Sequence, residues 1–152
     1  MLPKGSIAPS FEGIDQHSKR HTLEELLSGG QHLVLYFYPR DFTRVCTIEA
    51  CIFRDSEREL ADLKARVVGA STDSAETHLK FAERHRVNFP LLADESGAIA
   101  KAYHADRWFF GLTKRMTYVI APNREIAGVF HHELSAAKHL EDVRRLLTNS
   151  AK

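Results

Sequence analysis

The sequence lacks the features that would indicate a membrane, secreted or nucleic-acid-binding protein. No apolar run approaches the ~20 residues needed to span a bilayer, and residues 1–6 lack the long apolar region of a secretory signal. The formal net charge is only +1, and the charges are interspersed instead of forming a basic stripe or a polybasic segment. We therefore expect a cytoplasmic protein that binds neither nucleic acid nor membranes.

Cysteine is also scarce, since Cys46 and Cys51 are the only two in 152 residues. In a reducing compartment such a pair favours reactive or redox-active thiols over a structural disulfide. The length is that of one ordinary domain, and the sequence contains no repeat, linker or low-complexity tract. We expect a single domain that spans residues 1–152.

The order of apolar patterns predicts an α/β fold with a central mixed sheet flanked by helices. Predicted strands cover 11–14, 21–23, 33–38, 67–71, 116–121 and 125–131, and 89–92 forms either a short strand or a turn. Predicted helices cover 43–66, 73–86, 95–103 and 135–147, and a capping box at 73–76 begins the second of them. This order resembles the thioredoxin-like pattern, with an extension at its N-terminus.

Cys46 lies in a segment that favours an activated thiol. The apolar run 33–38 leads into a proline and a polar turn, and Thr43 then stands where an N-cap would begin a helix. With Thr43 as the N-cap, Cys46 is the third helical residue, in the turn whose backbone N–H groups have no intrahelical partner. These groups and the positive end of the helix dipole favour an anion, which for cysteine is the nucleophilic thiolate.

Helical geometry separates the two cysteines from each other and from the expected core. Val45, Ile48 and Ile52 form the apolar stripe of the predicted helix, so we expect core packing to require neither cysteine. On an intact helix the Cα atoms of Cys46 and Cys51 would be roughly 8–9 Å apart. A disulfide tolerates at most about 7 Å. A bridge between them would therefore require the first helical turn to unwind.

The spacing of the cysteines bears on the kind of thiol chemistry. A thioredoxin-type disulfide exchanger has two residues between its cysteines, whereas four residues separate Cys46 and Cys51. This wider spacing favours a cysteine that a small oxidant converts to sulfenic acid and that its neighbour then resolves. A disulfide exchanger is disfavoured. A non-enzymatic redox sensor or holdase-type binding protein that uses the same thiol stays open at this point.

The spacing of Pro39, Thr43 and Cys46 matches the peroxiredoxin active-site signature. The segment 46–51 looks like the bacterioferritin comigratory protein, or peroxiredoxin Q, subgroup, and the likeness covers nearly the whole chain. The ordered segments that carry it are 7–11, 35–39, 53–55, 69–73, 88–94 and 115–120.

This resemblance implies a thioredoxin-fold peroxidase that reduces hydrogen peroxide and organic hydroperoxides without a metal or organic cofactor. Cys46 would be the peroxidatic cysteine and Cys51 the resolving cysteine. The sulfenic acid on Cys46 would condense with Cys51, and thioredoxin or a similar dithiol would reduce the disulfide. The subgroup resemblance also implies a monomer.

The resemblance assigns roles to four further residues. Thr43 would hydrogen-bond the incoming peroxide, and Pro39 would shield the thiolate from water. Arg115 would stabilise the thiolate and orient the peroxide oxygens, and Glu49 would help hold that arginine. A sensor does not need Thr43, Pro39 and Arg115 together, so their presence favours catalysis.

The chain departs from the subgroup at Arg44 and Val45, which stand where proline and glycine are usual. Proline preorganises the first turn of a helix and glycine loosens the residues that follow. The replacement therefore bears on how readily this turn unwinds. Arg44 either adds positive charge beside the thiolate or points into solvent, and the sequence leaves both readings open.

Two other features invite a functional interpretation. His131 and His132 are adjacent on a predicted strand and would point to opposite faces, and His78 and His85 align on a helix without a third ligand. We expect no metal site from either pair. The aromatic run 108–110 is interpreted as loop packing, with an apolar lip for bulky hydroperoxides or a docking surface for a reductant as alternatives.

Overall fold

The structure is a computed structural model that describes residues 1–107 and 113–150. The strands are β1 (Glu12–Ile14), β2 (Arg20–Thr22), β3 (His32–Phe37), β4 (Ala65–Ser71), β5 (Leu91–Ala93), β6 (Met116–Ile120) and β7 (Ile126–His131). The helices are α1 (Leu23–Leu27), α2 (Arg44–Asp55), α3 (Glu57–Asp62), α4 (Ala75–His85), α5 (Ala98–Ala102) and α6 (Ala136–Ser150). Every predicted strand is present, with ends that differ by a few residues.

Five strands form one mixed sheet in the order β5-β4-β3-β6-β7, and β1 and β2 form a separate antiparallel pair. Strand β3 is central and pairs in parallel with β4 and antiparallel with β6. The parallel pairs β3–β4 and β4–β5 place the carboxyl ends of all three strands at one edge of the sheet. The mixed sheet that the sequence predicts is confirmed.

Strand β3 is buried on both of its faces because helices cover both sides of the sheet. Its odd-numbered residues join a cluster with side chains of α1, α5 and the N-terminal segment: Leu33, Leu35 and Phe37. Its even-numbered residues, with Tyr38 just after it, join a cluster with side chains of α2, α4 and α6: Val34, Tyr36 and Tyr38. This alternation follows from the two-residue period of a strand.

Helix α2 begins where the sequence predicts, but it buries a different face. Thr43 is its N-cap residue, so Cys46 is the third helical residue as predicted. The buried residues are Cys46, Glu49, Ala50 and Phe53. Ile48 is 45% exposed and Val45 and Ile52 are only partly buried, so the expectation that core packing requires neither cysteine is wrong for Cys46. The prediction chose the wrong face because Glu49, a charged residue that sequence patterns assign to the surface, is buried on the inner face of α2.

Other predicted helix limits also differ from the structure: the helix predicted over 95–103 covers only Ala98–Ala102, and the final helix extends to Ser150. The helix predicted over 43–66 is divided at Ser56, which has φ −101° and ψ 3° and ends α2 before α3 begins. The N-cap of α4 is Ser74, one residue later than the predicted capping box, and its side chain accepts a hydrogen bond from the backbone N–H of Thr77.

Among the described residues no helix has both the length and the apolar character that crossing a bilayer demands. The aromatic run 108–110 lies outside the described residues.

Candidate active site

The thiol of Cys46 is buried, with only 1% of the residue exposed, in the first turn of α2. The N-cap residue Thr43 has an extended backbone, but its side chain does not cap the helix. Its hydroxyl instead donates to the carbonyl of Arg40 at 2.8 Å. No side chain at the cap therefore competes for the N-terminal backbone N–H groups of α2, which leaves them oriented toward an anion.

Arg115 provides the positive charge next to this thiol. Its Nη2 donates to Cys46 Sγ at 3.2 Å, and its Nη1 donates to Glu49 Oε1 at 2.8 Å. Burial disfavours the guanidinium cation, but the negative charges of Glu49 and Cys46 outweigh this cost and raise the pKa of Arg115. A cation that donates to sulfur in a buried site favours the thiolate over the thiol.

The guanidinium is oriented from the opposite side by Glu133, which follows β7. Arg115 Nε donates to the backbone carbonyl of Glu133 at 2.9 Å, and the Arg115 backbone N–H donates to Glu133 Oε1 at 3.2 Å. Glu133 also forms ion pairs with Arg107 and His131, at 2.7 and 2.8 Å. The three nitrogens of the guanidinium thus contact α2 on one side and the segment after β7 on the other, which leaves the plane of the group little freedom.

Glu49 is a fully buried carboxyl group on the inner face of α2. Burial raises the pKa of Glu49 to about 7, although the nearby Arg115 acts to lower it. Its Oε2 atom has no hydrogen-bond partner among the described residues and lies 3.9 Å from Nε2 of His139. A carboxyl group with this pKa changes charge near neutral pH, directly beside the arginine that contacts the thiol.

His139, on α6, lies behind Glu49 as a neutral imidazole. Its Nε2 atom donates to the backbone carbonyl of His132 at 2.9 Å, and its Nδ1 atom lies 2.8 Å from the hydroxyl of Thr117, which donates to it. Burial lowers the pKa of His139 to about 4. The His139 ring therefore lines the site as an uncharged side chain near neutral pH.

Cys51 is half-buried on the same unbroken helix as Cys46. A rise of ~1.5 Å per residue separates the two positions by roughly 7–8 Å along the helix axis, too far for a disulfide. The hydrogen bond that Arg54 donates to Asp55 and, secondarily, its proximity to Cys51 raise the pKa of Arg54, which lies one turn beyond Cys51 along α2. Each thiol thus has an arginine near it, while the intact helix holds the two thiols apart.

The structure brings together three of the predicted site residues, Cys46, Glu49 and Arg115, in direct contact. Thr43 and Pro39 lie on the segment that joins β3 to α2; Thr43 is exposed and Pro39 is half-buried. Cys51 belongs to the same helix but not to this contact group.

The histidines of the two predicted pairs have protein partners. His131 contacts Glu133, and His132 contacts Asp142 at 2.6 Å. His78 is fully buried against Asp41 at 2.5 Å, whereas His85 packs beside the ring of Phe81.

Sequence reasoning missed Glu133 and His139. Glu133 acts partly through its backbone carbonyl, and no sequence pattern reports such a contact. His139 could have been found, because it falls on the same helical face as Ala136, Val143 and Leu147, all of which are buried. A polar residue on that face predicts a buried, hydrogen-bonded side chain.

Residues 5–129 match the AhpC/TSA family. The chain is 37% identical to a chloroplastic peroxiredoxin Q from Sedum lineare over 147 residues, which cover 96% of this chain and 78% of that protein. The fold superimposes on the crystal structure of the peroxidoxin BcpB from Mycobacterium tuberculosis with a TM-score of 0.92 and 37% identity, covering 98% of each chain. It superimposes on a bacterioferritin comigratory protein from Xanthomonas campestris, described with alkyl peroxide reduction activity, with a TM-score of 0.84 and 26% identity, covering 93% of this chain and 92% of that one. These likenesses confirm the predicted thioredoxin-like fold.

Replacing Arg115 should reduce the population of the Cys46 thiolate. Arg115→Gln removes the one cation that, among the described residues, donates to the sulfur, and we expect about tenfold less thiolate. Arg115→Lys keeps the charge but loses the forked geometry, so the decrease in thiolate should be smaller.

The measurement is the absorbance of the reduced protein at 240 nm against pH, from which the absorbance of a Cys46→Ser variant is subtracted. Arg107→Gln, which among the described residues loses an ion pair to Glu133 and no contact with Cys46, is the control. Equal thiolate absorbance in Arg115→Gln and the control would contradict the assignment.

The neutral state of His139 makes the folded protein sensitive to acid. Because its pKa falls from an ordinary 6.5 to about 4 on folding, the unfolded chain binds more protons than the folded chain between these values. The free energy of unfolding should therefore fall by about 3 kcal/mol from pH 6.5 to 4 through this group alone. Glu49 acts in the opposite direction between 4.5 and about 7, so the wild-type curve combines the two effects.

The difference between the wild type and His139→Gln isolates the contribution of His139. In urea unfolding at pH 7, 5.5 and 4, the free energy of unfolding should decrease with acid less in the variant than in the wild type. Between pH 7 and 4 the two decreases should differ by about 3 kcal/mol. Parallel curves would show that His139 does not titrate in this way.

Proposed function

This chain belongs to the AhpC/TSA family as a peroxiredoxin of the peroxiredoxin Q type, and from that membership we propose that it reduces hydrogen peroxide and organic hydroperoxides to water and alcohols. Its role would be cell redox homeostasis and antioxidant defence. The observation that carries the proposal is the buried contact of Cys46 with the guanidinium of Arg115, which Glu49 and Glu133 hold in place.

In the first step the Cys46 thiolate attacks one oxygen of the hydroperoxide. An S–O bond forms, the O–O bond breaks, and the departing hydroxide or alkoxide takes a proton from solvent. Negative charge develops on the departing oxygen, where the Arg115 guanidinium and the N-terminal amides of α2 would stabilise it. The Thr43 hydroxyl, whose own proton goes to the carbonyl of Arg40, would accept a hydrogen bond from the hydroperoxide O–H. Pro39, half-buried at the start of the loop, would limit access of water to the thiolate. The product at Cys46 is sulfenic acid.

In the second step Cys51 resolves this sulfenic acid. Its sulfur attacks the Cys46 sulfur, an S–S bond forms, the S–O bond breaks, and water departs with the thiol proton. Because α2 is continuous from Arg44 to Asp55, its N-terminal part has to unwind before the sulfurs meet. Ile48 is 45% exposed and Val45 is only partly buried, so unwinding exposes little additional apolar surface of these two side chains.

The replacement of Pro-Gly by Arg44 and Val45 does not prevent the helix from forming. Arg44 is exposed at the first helical position, which favours the reading that it points into solvent. The loss of proline makes the helix start less preorganised, whereas the loss of glycine makes it less flexible, so the two replacements act on unwinding in opposite directions.

An external dithiol such as thioredoxin would reduce the disulfide by thiol–disulfide exchange. We further propose that the protein acts as a monomer in the cytoplasm and needs no metal or organic cofactor. The rival function is a non-enzymatic redox sensor, which requires oxidation of Cys46 but not repeated turnover.

Cysteine variants separate these functions. Cys46→Ser should lose peroxide consumption in an assay coupled to thioredoxin, thioredoxin reductase and NADPH, because the attacking thiolate is gone. Cys51→Ser should form sulfenic acid at the wild-type rate in a single turnover, yet turn over at least about tenfold more slowly in the coupled assay. Full coupled turnover in Cys51→Ser would overturn the resolving role. Oxidation of wild-type Cys46 without turnover by any dithiol would favour the sensor.

A further inference from the structure

The loop between β3 and α2 is fixed at Asp41, a buried residue that the proposed chemistry does not use. The hydroxyl of Tyr38 donates to Asp41 Oδ1 at 2.6 Å. The backbone N–H of Asp41 donates to Asp73 Oδ2 at 2.8 Å, and the hydroxyl of Ser71 donates to the same oxygen at 2.6 Å. Asp41 is therefore connected to the carboxyl ends of both β3 and β4.

His78 of α4 completes this network from the opposite side. Its side chain and that of Asp41 are both fully inaccessible to solvent, and its Nδ1 atom lies 2.5 Å from Asp41 Oδ2. Its Nε2 atom lies 3.0 Å from the backbone carbonyl of Leu92 in β5. Because a carbonyl oxygen only accepts, Nε2 donates to Leu92, and Nδ1 and Oδ2 of Asp41 share a second hydrogen bond.

Asp41, Asp73 and His78 each place one possible ligand atom within 4.8 Å of the others. Their hydrogen bonds, however, already use these atoms. Tyr38 and His78 occupy the two oxygens of Asp41, and Oδ2 of Asp73 accepts two donors. A cation would have to displace these donors, so the cluster is a closed hydrogen-bond network.

The network lies two residues from each of two proposed site residues, Pro39 and Thr43. Phe42 follows Asp41 with φ 65°, and its ring packs edge-on against Phe81 of α4 at 5.2 Å between centroids. The hydroxyl of Thr43 then donates back to the carbonyl of Arg40. The positions of Pro39 and Thr43 are thus set through one fixed point, Asp41.

We infer that His78 is a positioning residue for peroxide reduction: its Nδ1 atom holds Asp41 through a buried hydrogen bond, and Asp41 holds the loop that presents Pro39 and Thr43 to the hydroperoxide. The inference rests on the proposed function. His78 does not contact Cys46 or Arg115 directly; it acts on the part of the site that binds the substrate. A displaced loop misplaces the Thr43 hydroxyl, and errors of about 1 Å in a reacting geometry cost up to about 10²-fold in rate.

Two substitutions of His78 separate its two hydrogen bonds. The amide nitrogen of asparagine matches the Nδ1 position, so His78→Asn keeps a donor for Asp41 and loses the bond to Leu92. The amide nitrogen of glutamine matches the Nε2 position, so His78→Gln keeps the bond to Leu92 and loses the donor for Asp41. The two variants are matched in charge and differ chiefly in which contact survives.

The readout is the second-order rate of Cys46 oxidation by hydrogen peroxide, followed by quenched-flow mass spectrometry, beside the rate of Cys46 alkylation by iodoacetamide. Alkylation requires the thiolate but no hydroperoxide contact with Thr43. We expect peroxide oxidation in His78→Gln to be at least about tenfold slower than in the wild type, and in His78→Asn to remain within about threefold. Alkylation should not be slower in either variant.

Equal peroxide rates in the two variants, or a parallel fall of oxidation and alkylation, would overturn the inference in favour of a role in stability alone. If His78→Gln does not fold, Tyr38→Phe decides instead. It keeps the ring but removes one donor from Asp41, so peroxide oxidation should fall several-fold with alkylation unchanged; a wild-type rate would overturn the inference. A wild-type protein that does not react with peroxide would refute the proposed function, which distinguishes the two failures.

Discussion

The site depends on the guanidinium of Arg115, which donates to the sulfur of Cys46 and to the carboxylate of Glu49. A buried thiolate, a buried carboxylate and a buried guanidinium are each unfavourable alone, and removal of one leaves an uncompensated charge for the others. The pKa of Glu49, raised to about 7, reflects this balance, because burial of the carboxylate outweighs the opposing effect of Arg115. The charge state of the thiol, the burial of the inner face of α2 and the orientation of Arg115 therefore depend on one another.

The proposed cycle places two opposed demands on α2. Contact between Cys46 and Arg115 requires the first turn to be intact, whereas a bond to Cys51 requires it to unwind. Different parts of the structure meet these two demands. The loop before the helix is held by buried hydrogen bonds at Asp41, while Ile48 and its neighbours on the outer face are only partly buried. A change confined to the N-terminal part of α2 therefore leaves the sheet and the loop in place.

The sequence was sufficient for those features that local rules control. Thr43 as the N-cap, and Cys46 as the third helical residue, follow from capping preferences, and the strands follow from apolar runs. The buried face of α2 did not follow, because the burial of Glu49 depends on Arg115, 66 residues later in the chain. The role of Glu133 and the pairing of Asp41 with His78 could not be predicted from the sequence either. They are contacts between distant segments, and they leave no periodic signal.

The central claim is that Cys46 reacts first and Cys51 resolves the product within the same chain. The most direct measurement treats the fully reduced protein with one equivalent of hydrogen peroxide and follows the intact mass and the peptide map. The account predicts a loss of two hydrogens and a peptide in which Cys46 is linked to Cys51. An unmodified Cys46 would contradict the account, and a stable sulfenic acid at Cys46 without the link would contradict the resolving step.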